Sequence, residues 1–328
     1  MTAATALDTF LDRTIAFGYG NVGLAIRRRL PDWPADPPRM DGKVALVTGA
    51  GSGLGQAAAE GFARLGASVR ALGRDEGRAT EAADQIRRAV PGADVQPVAC
   101  DISDLTAVRE FCARFAADEE RLDVLVNNAG VMPGERERSA DGIELTFATH
   151  VLAPWMLIDG LRELMQATGS ARVINVTSGG MYGQKVPEDD LESEDAAYSP
   201  KKFYARSKRA QVVITEQWAE RLQPAGIVVH AMHPGWADTK GVRNWMPVFR
   251  VVTRAIIRTP EQGADTIVWL GGAPEPLHSS GELWHDRRRR PKTYAVGPGE
   301  DSPEVRKALW ERCEELAARR PAAATSAS

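Results

Sequence analysis

Apolar residues arrive along this chain in short blocks, each followed by a longer stretch in which they recur every three or four positions. Val44 to Thr48, Ser68 to Leu72, Val95 to Ala99, Val124 to Asn127, Arg172 to Val176, Ile227 to Met232 and Gly281 to Trp284 read as strands. The periodic stretches between them read as helices. This alternation predicts an α/β fold, a doubly wound parallel sheet of about seven strands with helices on both faces. In such sheets ligands sit beyond the carboxyl ends of the strands, so residues just after each block carry the candidate chemistry.

The pattern divides the chain into three parts. Residues 1–40 form an N-terminal extension that reads as a helix and then a stiff linker containing Pro31, Pro34, Pro37 and Pro38. Its apolar run from Thr14 to Ile26, followed by Arg27, Arg28 and Arg29, is too short for a membrane span and begins too far in for a cleaved signal. Two readings stay open for residues 1–30: a peripheral membrane or partner contact, or an accessory helix packed on the domain's own surface. Residues 41–320 read as a single domain closed by an amphipathic helix from Pro303 to Arg320, and residues 321–328 as a frayed tail.

Composition narrows the function classes. The chain has 328 residues, 43% hydrophobic and 26% charged, with a net charge of −3, which suits a globular protein and provides no field that recruits nucleic acid. The run Arg287 to Arg290 reads as a solvated loop ended by Pro291, with an anionic partner as its alternative. Cys100, Cys112 and Cys313 are odd in number and widely spaced, which fits a reducing, cytoplasmic setting. The five histidines show no metal-ligand spacing, so no metal is expected.

Candidate chemistry begins where the first strand ends. Thr48-Gly49-Ala50-Gly51-Ser52-Gly53-Leu54-Gly55 joins a strand to a helix. Gly49 permits the sharp turn, Gly53 lets backbone approach a pyrophosphate, and Gly55 allows close helix–sheet packing. Phosphates would rest on the helix N-terminus with Ser52 and Leu54 beside them, which points to a dinucleotide. After the second strand stands Arg74 rather than an acid. A guanidinium there can pair with a 2′-phosphate, so NADP(H) is favoured over NAD(H). Asp75 is more simply the N-cap of the next helix. Asp101 and Ile102, after the third strand, would flank the adenine, although turn chemistry also accounts for the aspartate.

Asn127-Asn128-Ala129-Gly130 follows the fourth strand, where side-chain amides can bridge strand ends and Gly130 admits a ribose. Ser178 stands at the mouth of the fifth strand. Tyr204 and Lys208, four apart, share a helix face, and an ammonium beside a phenol favours phenolate and so suits proton exchange with an alcohol or ketone. Tyr198 and Lys202 are spaced alike, but Ser199-Pro200 reads as an N-cap and first helical position, which leaves Tyr198 outside the helix. Tyr182 is expected to line the cleft.

Taken in order, Thr48-Gly49-x-x-x-Gly53-x-Gly55, Asn127 to Gly130, Ser178, Tyr204-x-x-x-Lys208 and His233-Pro234-Gly235 resemble the classical short-chain dehydrogenase/reductase family over residues 42 to 285. The resemblance implies a Rossmann-type fold and hydride transfer between a nicotinamide and a small-molecule carbonyl or alcohol. By that resemblance Tyr204 exchanges the proton and Ser178 polarises the substrate oxygen. Lys208 lowers the tyrosine pKa and holds the ribose, Pro234 and Gly235 turn over the nicotinamide, and Thr239 lies near its carboxamide. Residues 239–258 would form a mobile lid. Relatives commonly assemble as homo-oligomers through two large helices.

One position departs from the family pattern. His150 stands where Asn usually helps hold the water of a proton relay, and its imidazole could substitute, abolish the relay, or be a satisfied core histidine. The acidic stretch Pro187 to Glu194 lengthens the Ser178–Tyr204 spacing and reads as a solvated loop; by the resemblance to family members with a similar lengthening, it implies a bulky or apolar substrate. Two functions follow: an NADPH-preferring carbonyl reductase or alcohol dehydrogenase, or a catalytically weak nucleotide-binding protein whose extension serves a partner or membrane.

Overall fold

The computed structural model describes residues 3–14, 18–194, 197–238 and 253–319. Thr239, most of the expected lid and the C-terminal tail lie outside them. Two helices of the extension, α1 (Ala3–Arg13) and α2 (Asn21–Arg27), precede the sheet. Then follow β1 (Val44–Thr48), α3 (Gly53–Arg64), β2 (Ser68–Gly73), α4 (Glu76–Ala89), β3 (Val95–Ala99), α5 (Leu105–Asp118) and β4 (Val124–Asn127). The second half comprises α6 (Leu145–Phe147), a π-helical turn Ala148–Leu152, α7 (Ala153–Thr168), β5 (Arg172–Val176), α8 (Pro200–Leu222) and β6 (Val228–Met232). It closes with α9 (Pro260–Gly272), β7 (Leu283–His285), β8 (Arg288–Arg290) and α10 (Pro303–Ala318).

The strand order is β3-β2-β1-β4-β5-β6-β7-β8, parallel throughout except for the antiparallel β7–β8 pair. The sheet therefore reverses direction of growth between β1 and β4, and the crevice opens there. Central strands are buried on both faces. In β1, Val44 and Leu46 enter the core packed by α5, α7 and α8, while Ala45 and Val47 enter the one packed by α3, α4 and α9. The C-terminal helix joins the first of these cores. Trp310 of α10 meets Trp155 of α7 at 5.3 Å and Trp218 of α8 at 4.8 Å between ring centroids.

All seven expected strands form, and β8 is an eighth that the sequence pattern did not announce. Arg287 to Arg290 is no solvated loop. Asp286 and Arg287 take φ of 51° and 55°, so the two residues between β7 and β8 both sit in the left-handed region that a tight hairpin turn demands. The hairpin turns each arginine toward a carboxylate. Arg287 pairs with Asp265 of α9 at 2.9 Å and with Asp36 of the linker at 2.7 Å. Arg288 pairs with Asp32 at 2.6 Å and Arg290 with Asp8 at 2.8 Å, so the run fastens the extension to the sheet edge.

The centre of this fastening is Asp286. Its carboxylate accepts from Arg27 of α2 at 2.7 Å and from both terminal nitrogens of Arg258 at 2.6 and 2.9 Å, and all three residues are buried. The two guanidinium groups hold its carboxyl far below the ordinary carboxylate range despite burial. Of the two readings of residues 1–30, these contacts support the accessory element packed on the domain. Asp286→Ala would leave the buried Arg258 without its counter-charge, while Arg27 keeps Asp8 at 2.7 Å, and is expected to cost about 3 kcal/mol of unfolding free energy. A urea midpoint indistinguishable from that of the unaltered protein would refute this.

The acidic stretch 187–194 is also more tied down than expected. Glu192 pairs with Arg312 of α10 at 2.6 Å, Glu194 pairs with Arg138, and Ser193 is buried.

Candidate active site

At the carboxyl edge of the sheet a cleft of about 1440 Å³ brings together the loop after β1, Arg74, Asp101, Ile102, Asn128 and Gly130, and the residues Ser178, Tyr204, Lys208, Pro234 and Gly235. One end of the cleft suits an anionic nucleotide. Gly49 and Gly53 adopt φ of 68° and 58°, which L side chains rarely take. A side chain at Gly55 would collide with the Gly49 carbonyl and the Asn128 amide. Ser52 begins α3 without capping it through its side chain, so the first-turn N–H groups stay available to a phosphate. The residues present therefore fit a dinucleotide.

Asn128 braces this loop by donating from Nδ2 to the Thr48 carbonyl at 2.9 Å, while the Thr48 hydroxyl accepts from the backbone N–H of Asn128 and Ala129 at 2.9 and 3.0 Å. Asn127 spans to β5, donating to Asn175 at 2.8 Å. Both amides bridge strand ends as expected. Arg74 lies half-exposed at the adenosine end, 3.7 Å from Asp101, a loose pair that a phosphate can displace. Asp75 caps α4 by accepting from the Arg78 N–H at 2.9 Å. Arg78 lines the same end, a second cation that its place in the sequence did not single out.

At the other end, Pro200 opens α8, leaving Tyr198 upstream with its hydroxyl donated to the Pro133 carbonyl at 2.7 Å. Tyr204 and Lys208 lie within the helix, with the Lys208 Nζ 5.8 Å from the Tyr204 ring centroid. Ser178 follows β5 and faces the phenol. Burial raises the Tyr204 pKa, and hydrogen bonding from Ser178 opposes that rise. Lys208 is pushed down to about 7 by burial. Its ammonium donates to the Val176 carbonyl at 2.8 Å and to Gln211 Oε1 at 3.2 Å, which fixes its position and leaves one of three N–H donors. In the protein alone the phenol is thus more basic than usual, and the opposing influence comes from Ser178 and not from Lys208.

His150 lies on the π-helical turn, fully buried and outside the cleft lining. Its Nε2 accepts from the Val131 N–H at 2.9 Å, so its proton resides on Nδ1, which contacts Ser207 Oγ at 2.8 Å. The Ser207 hydroxyl in turn donates to the Tyr204 carbonyl at 2.8 Å. Both ring nitrogens are engaged within the protein, as in the alternative of a satisfied core histidine. It is a strut between the loop after β4 and the helix that carries Tyr204. Gly130 makes room for it, since a Cβ there would lie 2.9 Å from Nε2.

Residues from outside the expected set also line the cleft. Asp12 and Tyr19 reach it from the extension, Trp236 from the loop after β6, and Tyr294 from the segment after β8. Tyr182 lines it as expected, its hydroxyl donated to the Pro291 carbonyl at 2.8 Å. Cys100, at the adenosine end, and Cys112 have thiols raised to about 12 by burial, so neither serves as a nucleophile. Among the described residues no helix is long and apolar enough to cross a membrane.

Comparison with known proteins agrees with this geometry. The short chain dehydrogenase family profile matches residues 43–247. Dehydrogenase/reductase SDR family member 12 of Bos taurus is 40% identical over 282 residues, covering 86% of this chain and 88% of the relative. Human retinol dehydrogenase 14 is 34% identical over 298 residues, covering 85% and 87%. Among solved structures, the Pseudomonas aeruginosa RhlG/NADP active-site complex superposes with a TM-score of 0.62 at 25% identity, covering 75% of this chain and 94% of the other. With the ordered cradle, the serine–tyrosine–lysine grouping and these matches together, the chain belongs to the short-chain dehydrogenase/reductase family and is an NAD(P)-dependent oxidoreductase.

Proposed function

We propose that this protein is an NADP(H)-preferring oxidoreductase acting on a carbonyl or alcohol, with Tyr204 as its general acid and base. The observation that carries this reading is the placement of Tyr204, facing Ser178 and stacked one helical turn from Lys208, in the same cleft as the uncapped N-terminus of α3. Gly49 to Gly55 would hold the pyrophosphate, Arg74 the 2′-phosphate, Asp101 and Ile102 the adenine, and Asn128, Gly130 and Lys208 the ribose near the reaction centre. When bound, the nicotinamide supplies or accepts the hydride.

The protein's own residues handle the proton and the developing charge. In the reductive direction Tyr204 gives its hydroxyl proton to the substrate oxygen as negative charge grows there, and Ser178 donates a second hydrogen bond to that oxygen. The Lys208 ammonium stabilises the phenolate left behind, so a phenol that burial makes reluctant to ionise does so when a proton acceptor is in place. His150 and Ser207 hold the backbone carbonyl of Tyr204, fixing the helix turn on which the phenol rides. Steady NADPH oxidation with a panel of ketones, aldehydes and quinones, abolished in Tyr204→Phe, tests the assignment. Tight NADPH binding with no turnover would favour a nucleotide-binding role instead.

The cofactor preference has its own test. NADPH is expected to quench intrinsic tryptophan fluorescence at lower concentration than NADH. Arg74→Ala should weaken NADPH about tenfold while leaving NADH within about twofold, since a charge-assisted contact to phosphate is lost at a half-exposed site. Equal affinities of the unaltered protein for the two nucleotides would overturn the preference.

A further inference from the structure

The substrate end of the cleft is built partly by the N-terminal extension. The Tyr19 ring packs against the glycine that follows Ser178, where a Cβ on Gly179 would lie 2.6 Å from Tyr19 Cε2. Its carbonyl accepts from the Trp236 N–H at 2.8 Å, and its ring meets Trp236 edge-on at 6.3 Å and His233 at 4.7 Å between centroids. Tyr19 therefore joins the two loops that flank the reaction centre. Tyr182 and Tyr294 pack with rings tilted and centroids 4.6 Å apart, and Tyr182 reaches His233 at 6.1 Å.

The polar tips of this wall are largely committed elsewhere. Tyr182 donates to Pro291, and Tyr294 donates to Asp12 Oδ2 of α1 at 2.6 Å. Asp12 is also paired with Arg290 of β8 at 3.4 Å. Apart from the Tyr19 hydroxyl, ring faces are what the wall has left for a ligand, and Gly180 leaves room before them. Flat apolar groups gain both burial and offset or edge contacts against such rings.

We propose that Tyr19 of the extension, with Tyr182, Trp236 and Tyr294, forms a recognition wall that selects neutral carbonyl or alcohol substrates bearing a bulky, flat apolar group beside the reacting carbon. The Asp12–Tyr294 hydrogen bond and the Asp286 ion-pair cluster hold this wall closed, which gives the extension a role in specificity as well as in packing. The inference rests on the oxidoreductase reading of the cleft. It names the class of substrate that the reading leaves open.

The test uses the full chain with NADPH and two probe ketones, butan-2-one and 2-acetylnaphthalene. In Tyr294→Ala and Tyr19→Leu the ratio of kcat/KM for the naphthyl ketone over butan-2-one is expected to fall at least tenfold. Tyr294→Phe, which keeps the ring, should retain most of that ratio. Tyr294 is partly exposed, so its variants decide the matter if Tyr19→Leu does not fold. A ratio unchanged in Tyr294→Ala overturns the wall while leaving the oxidoreductase reading intact. If the unaltered protein oxidises no NADPH with any carbonyl, that reading fails, and the wall is judged by calorimetric binding of 2-acetylnaphthalene to the NADPH-loaded protein. Binding weakened about tenfold by Tyr294→Ala supports it, and no binding to the unaltered protein refutes it.

Discussion

Tyr204→Phe is expected to lower kcat for ketone reduction by about three orders of magnitude, the range typical of a lost general acid, while weakening NADPH binding far less. Phenylalanine keeps the ring that meets His150 edge-on at 5.4 Å, so the helix and its strut should persist and only the hydroxyl is removed. Ser178 would still polarise the substrate oxygen, and the ammonium of Lys208 would remain on Val176 and Gln211. The hydroxyls of Tyr182, Tyr198 and Tyr294 are each committed to a hydrogen bond, to Pro291, Pro133 and Asp12, and are poorly placed to take over the proton. With 4-deuterated NADPH the isotope effect on kcat should rise in the variant, since chemistry then limits every turnover. A kcat within tenfold of the unaltered enzyme would remove Tyr204 from its role.

Acidification is expected to unfold the protein over a narrow range below pH 6. His150, His230, His233 and His285 are almost fully buried, and burial lowers the pKa of each, to about 4 for His230 and about 3 for His285. The unfolded chain takes up protons on these rings near pH 6.5, whereas the folded chain does not until much lower pH. Across that window the unfolded state binds more protons, so stability falls as pH falls. Each ring contributes a slope approaching about 1.4 kcal/mol per pH unit, and four rings together remove on the order of 8 kcal/mol at pH 5. That rivals the whole stability of an ordinary domain, about 5–15 kcal/mol. Asp286 and its two arginines act lower still, because a carboxyl held so far down keeps its charge through this range. Thermal midpoints should collapse between pH 6 and 4.5. A midpoint at pH 5 equal to that at pH 7.5 would contradict the linkage.

Much of the scaffold was legible in the sequence because its determinants are local. The block Val44 to Thr48 is apolar on both faces, and the glycines behind it carry the turn and the close packing that their spacing implies. Ser199-Pro200 separates the two tyrosine–lysine pairs correctly, since proline at the first helical position leaves Tyr198 outside. What was not legible depends on distant partners. Arg288 to Arg290 looks like a solvated charge run until Asp8, Asp12 and Asp32, more than 250 positions earlier, are brought opposite it. The one local hint is Asp286-Arg287 set between two short runs, a pair able to take the left-handed turn. Tyr19 carries no signal for the active site, because the contact with Gly179 exists only once the extension folds back. His150 is marked by its place in the motif, but its use of both nitrogens cannot be read without Val131 and Ser207 in place.

The docking of α10 bears on how copies of this chain can associate. Relatives in this family commonly assemble through a pair of long helices, and here α7 and α8 present Trp155 and Trp218 to Trp310 of the same chain, with the Arg221 guanidinium 3.5 Å from the Trp310 ring centroid. The C-terminal helix shields these indoles within the chain itself. Self-association through α7 and α8 at these indoles would have to displace α10.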